Sequence, residues 1–132
     1  MKLNRFKTGI MMLAIVPFFA FTLFAQDFGQ INLAIKMGNA KELARQLDEV
    51  VEITILDKEA SYSKAQAEMV LKDFFDSHKP ESFEIIHKGS SNEGSKYGIG
   101  KLITDNGNFR TYVLAKQKGS VFLIQKISFE ED

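Results

Sequence analysis

The chain has 132 residues, 17 Lys and Arg against 17 Asp and Glu, and neither cysteine nor tryptophan. That length accommodates one domain, and the balanced charge argues against a nucleic-acid binder, which carries a basic excess. Without cysteine there is no disulfide scaffold, thiolate metal site, thiol nucleophile or cysteine-linked lipid anchor, and a hydrophobic content of 45% with 26% charged residues indicates a globular chain.

Residues 1–25 read as a signal peptide. Lys2, Arg5 and Lys7 form a basic start, Ile10 to Phe24 is uncharged and apolar, and cleavage is expected after Ala25. Leu23 departs from this pattern, since a small residue is preferred there. The competing reading is an uncleaved anchor, but the apolar run is about 15 residues against the roughly 20 that span a bilayer, and Pro17 interrupts it. Cleavage leaves residues 26–132 as a single, mildly acidic exported domain, periplasmic or secreted, with the membrane only its export route.

Two short helices open that domain. Phe28, Ile31 and Ile35 recur at helical spacing and stop at Gly38. Asn39 then caps a second helix, with Glu42 at the capping-box position. Val50 to Leu56 alternates as a strand, and Asp57 to Tyr62 reads as a polar connection. Ser63 and Gln66 form a capping box for the longest helix, whose stripe is Ala67, Val70, Leu71, Phe74 and His78, and Pro80 ends it. Beyond it the strands are Phe83–Lys88, Lys96–Thr104, Asn108–Lys116 and Val121–Phe129. Asp105-Asn106-Gly107 predicts a type I′ hairpin turn. Helices first and an antiparallel sheet afterwards give an α+β fold. Gly98 and Gly100 share one strand face, which predicts a strong bend or a close approach by a helix.

Several stretches carry a family resemblance: Asn39-Ala40-Lys41-Glu42-Leu43, Tyr62 to Glu68, Leu71-Lys72-Asp73-Phe74-Phe75, Phe83 to Gly89, Tyr97-Gly98-Ile99-Gly100, and Phe109-Arg110-Thr111-Tyr112 with the closing strand. In these the chain resembles the DUF4783 family of small exported bacterial proteins, common in the Bacteroidetes. It is similar in architecture to the NTF2-like, cystatin-like superfamily. The resemblance implies a cone: a curved sheet wrapped around the long helix, with a pocket at the open end. It implies no activity, because its motifs are structural.

The residues nominate chemistry weakly. His87 alternates with Phe83 and Ile85, and histidine is the side chain most often used as a general base, so it is a candidate general base facing the cone. Enzymes of the resembled superfamily place an acid or histidine and a tyrosine inside the cone, which adds Tyr97 and Tyr112 as catalytic candidates and Tyr62 and Arg110, with His87, as ligand contacts. His78 reads as a cap at a helix C-terminus, and Asp73 and Asp76 as a solvated pair on the long helix. No metal is expected, since the two histidines fall on different elements. No cofactor is expected either, because no Gly-rich loop precedes a helix.

The last strand is partly apolar on both faces, and one helix layer covers only one of them. Tyr112, Leu114, Phe122 and Ile124 are therefore expected to form an outward patch that pairs two copies, as proteins of the resembled superfamily often do. The leading expectation is a non-enzymatic module that binds a partner or a small apolar ligand. The alternatives are a small-molecule isomerase or hydrolase using a cone pocket, and an accessory protein acting through its dimer surface.

Overall fold

The computed structural model describes residues 28–91 and 93–132. The expected leader, residues 1–25, lies outside the described residues. Helix α1 (Gly29–Lys36) is followed by α2 (Ala40–Ala44), strand β1 (Leu47–Ile55), strand β2 (Lys58–Ser63) and helix α3 (Lys64–Ser77). Strands β3 (Pro80–Ser90), β4 (Ser95–Thr104), β5 (Gly107–Lys118) and β6 (Val121–Glu131) complete the chain. They form one six-stranded sheet in the order β2-β1-β6-β5-β4-β3. The β1–β6 pair is parallel and every other pair antiparallel. The fold is α+β, as the sequence predicts.

Local chemistry explains the helix ends. At the end of α1, Gly38 adopts φ +62°, and its N–H and that of Asn39 donate to Ile35 O and Ala34 O. These two bonds make a Schellman motif and turn the chain into α2. Asn39 Oδ1 accepts from Glu42 N at 3.1 Å, while the Glu42 carboxylate turns to Arg45 at 3.2 Å. The capping box of α3 is complete: Ser63 Oγ accepts from Gln66 N, and Gln66 Oε1 accepts from Ser63 N, both at 3.3 Å.

All three helices lie on one face of the sheet and cover a single core. Ala67, Leu71, Phe74 and Phe75 of α3 are buried. Phe74 stacks on Phe129 of β6 at 4.3 Å and meets Phe109 of β5 edge-on at 5.3 Å. The segment expected to be a polar connection is instead the edge strand β2, which pairs with β1 along its whole length. Its residues are almost all exposed, so no apolar alternation announces it; polar residues, Lys58 and Glu59 among them, suit an edge.

Two irregularities reverse which face particular residues occupy. Along β3, Ile85 pairs with Gly100 but His87 pairs with Ile99, leaving Ile86 as a bulge. His87 therefore leaves the helix-covered face of Phe83 and Ile85 for the open face, contrary to the alternation in the sequence. Along β6, Lys126 pairs with Leu114 but Ile124 pairs with Ala115, leaving Gln125 as the bulge. Ile124 is consequently fully buried under the helices rather than turned outward. Phe122 shares its face, with Lys96 Nζ 4.6 Å from its ring centroid.

The turns also differ from expectation. In the β4–β5 hairpin Thr104 pairs with Gly107, and of the turn residues only Gly107 has positive φ, +108°. The turn is therefore not type I′, which needs positive φ at both central residues. Thr104 Oγ1 braces it, donating to Gly107 O at 2.6 Å and accepting from Asn106 N at 3.1 Å. In the β1–β2 hairpin Ile55 pairs with Lys58, so Leu56-Asp57 is a two-residue loop. Leu56 has φ +56°, a left-handed conformation that costs a side-chain-bearing residue about 1–2 kcal/mol.

Candidate functional site

Helix α3 and the β1–β2 hairpin build a cavity with a mainly apolar lining. Alternation on β1 turns Ile53 and Ile55 toward the helix layer, and Val70 and Phe74 descend from α3 to meet them. Together with Leu56 and Tyr62 they wall a cavity of about 550 Å³, within the usual range for small-molecule sites. Asp57, Lys58, Asp73, Ser77 and His78 supply its polar groups. A second depression of about 560 Å³ lies between α1 and α2. Its lining is more polar, with Gln30, Asn39, Glu42, Arg45 and Gln46 beside Leu33, Ala34 and Met37.

His78 is the C-cap residue of α3, as its position suggests, and its backbone N–H donates to Phe74 O. Its ring does more. Nδ1 lies 3.1 Å from Phe74 O, and a carbonyl can only accept, so Nδ1 carries the hydrogen of that contact. The ring stacks on Phe74 at 4.7 Å and meets Phe109 edge-on at 5.1 Å. The β4–β5 turn fastens this end of the helix: Asn106 Nδ2 donates to Ser77 O at 3.4 Å, and Lys79 N donates to Asp105 Oδ1 at 2.9 Å. The carboxylate pair expected on α3 is divided. Asp76 is held by Lys72 at 2.6 Å, whereas Asp73 borders the cavity.

Of the residues the sequence nominates, only Tyr62 reaches the cavity. His87, Tyr97, Arg110 and Tyr112 occupy the open face instead, as the pairing of Tyr112 with Ile99 and of Arg110 with Lys101 fixes. There Tyr97 Oη lies 3.3 Å from His87 Nε2, and the rings of Tyr97 and Tyr112 stack at 6.3 Å. The Tyr97 ring lies directly over Gly89, where no Cβ could fit. This group is exposed or half-buried on the face away from the helices, so His87 is not the cone-facing base that simple alternation predicts. Of the four residues expected to form an outward patch, Tyr112 and Leu114 are on the open face and Phe122 and Ile124 are not.

Sequence reasoning passed over His78 and Asp73 as cavity residues. The available signal was the helix stripe itself, on which His78 follows Phe74 by four positions and Asp73 precedes it. Among the described residues no cluster of three or more His, Asp or Glu is arranged to hold a metal ion, and no helix is long and apolar enough to cross a membrane.

Comparison with known proteins places this geometry. Among curated proteins none matches the chain. A DUF4783 family protein from Bacteroides uniformis shares 32% identity, with a TM-score of 0.75 over 79% of this chain and 95% of that one. Another from Bacteroides fragilis shares 34% identity, with a TM-score of 0.74 over 78% and 96%. A domain of unknown function with a cystatin-like fold from Nostoc punctiforme, 9% identical, superposes with a TM-score of 0.62 over 79% of this chain and 72% of its own; that likeness concerns the fold alone. The helices-then-curved-sheet architecture is thus NTF2-like and cystatin-like. The family model for DUF4783, a domain of unknown function, matches residues 28–130, nearly all the described residues, and the chain belongs to that family.

Proposed function

We propose that the domain is an exported, non-enzymatic binding module that takes a small, largely apolar ligand into the cavity between α3 and the β1–β2 hairpin. The observation that carries this reading is the cavity itself: walls of Ile53, Ile55, Val70 and Phe74, with polar groups from Tyr62, Asp73 and His78. Apolar walls with a few polar anchors are what a binding site of this size needs. N-Phenyl-1-naphthylamine, an uncharged probe that fluoresces in apolar surroundings, tests it. Saturable binding is expected, and Val70→Trp, which fills the cavity, should abolish it; no saturation, or binding unaffected by the tryptophan, would overturn the reading.

One observation favours the enzymatic alternative: Asp73 and His78 border the same cavity. An acid–base pair needs convergent groups, however, and here the His78 ring is committed on one edge to Phe74 O. Export rests on the basic start and apolar run of residues 1–25. Mass spectrometry of the protein from its native host is expected to find those residues removed, and an intact Met1 would defeat this part of the proposal.

A further inference from the structure

The β1–β2 turn carries a side chain that its backbone disfavours. A two-residue hairpin loop with positive φ at its first position normally takes glycine there, yet the residue is Leu56, at φ +56°. Core packing does not account for it. The side chain is 40% exposed and stands outside the hydrophobic core. The conformation is nevertheless enforced, because Leu56 N donates to Phe129 O at 2.8 Å and ties the turn to the end of β6. A disfavoured conformation that the surroundings enforce, with no packing gain to explain it, points to function.

The position of the side chain indicates which function. Leu56 lines the apolar cavity on one side and, on the other, an acidic depression formed with Asp57, Glu130 and Glu131. With Asp57, which borders both, it stands between the apolar walls of the cavity and the carboxylates of Glu130 and Glu131. We propose that Leu56 is a ligand-contact residue, an apolar lip that closes over the uncharged body of the bound molecule and excludes water from it. This rests on the cavity being the binding site. Glycine would relax the turn but leave the cavity open to the carboxylates beside it.

The test compares Leu56→Gly and Leu56→Met with wild type, by thermal melting and by N-phenyl-1-naphthylamine titration of the same preparations. Leu56→Gly is expected to melt a few degrees higher while its affinity falls about tenfold, the scale of losing much of a leucine's apolar contact. Leu56→Met keeps both the apolar chain and the strain, so it should bind within about twofold of wild type and melt no higher. A Leu56→Gly protein that binds the probe as wild type does, or melts below it, overturns the proposal. If wild type itself fails to bind the probe, the cavity reading falls and takes this inference with it. If wild type binds and Leu56→Gly binds equally well, only the role of Leu56 is lost.

Discussion

Gly98 and Gly100 of β4 share a face, but different neighbours lie over them. A Cβ on Gly98 would rest 3.6 Å from the Phe28 ring at the start of α1, an ordinary contact. A Cβ on Gly100 would sit 2.5 Å from the Phe83 ring and 3.0 Å from Glu84 O of the neighbouring strand. The close approach that two glycines on one face suggest therefore comes from a helix start in one case and a cross-strand aromatic in the other. Gly100→Ala should destabilise by about 1–3 kcal/mol, as overpacking does, and Gly98→Ala by less than about 1 kcal/mol. Urea midpoints of the two variants check this, and equal effects would mean that Phe83 moves aside freely. The capping box at Ser63 and Gln66 was fully legible because its logic spans four consecutive residues. His87, Phe122 and Ile124 were misplaced because a one-residue bulge reverses every side chain beyond it, and no residue type announced the bulges at Ile86 and Gln125.

At the scale of elements, the pairing of β1 with β6 is irregular. The parallel pairing slips between Leu47 and Glu52, and β6 slips against β5 at Gln125. Asp48 bridges both gaps. Its Oδ2 accepts from Lys118 at 2.7 Å and from Gln125 at 3.4 Å, and its Oδ1 accepts from Glu49 N at 2.8 Å. The hydrogen bond from Lys118, aided by that from Glu49 N, holds the Asp48 carboxyl below its ordinary value against the opposing effect of burial. A depressed folded-state pKa contributes stability that is present above the unfolded value, about 4, and lost as pH falls through the folded one. The advantage of wild type over Asp48→Asn in chemical denaturation should therefore shrink as pH drops below about 4; a difference constant down to pH 2 would show that the charge is not what stabilises this junction. Edge strand β2 was illegible for a related reason: its stabilisation lies in backbone pairing to β1, and an exposed polar segment carries no hydrophobic signature. The cavity depends on such pairing too, because β2, held to β1, supplies Lys58 and Tyr62 to its lining.

For the whole molecule, the surface awaiting explanation is the open face of the sheet. Tyr97, Ile99, Tyr112 and Leu114 form its half-buried centre on β4 and β5. Lys126 borders it but is already paired within the chain, to Glu52 at 2.8 Å and Glu59 at 3.5 Å. The expected self-association therefore rests on this revised patch, without Phe122 or Ile124. Light scattering at micromolar concentration should report a dimer that Tyr112→Glu dissociates; a monomeric wild type would assign the face to another partner or to water.

The strand order has a consequence for how the protein is made. β6, residues Val121–Glu131, lies between β1 and β5, so within the described sheet it joins the early hairpin to the later meander. Until the ribosome has produced it, β1 lacks its long-range neighbour and the Phe74 ring lacks Phe129 to stack on. Pairings between segments this far apart form late, after the loop-closure cost is met. A nascent chain of this topology cannot close its core before β6 has slotted into the middle of the sheet.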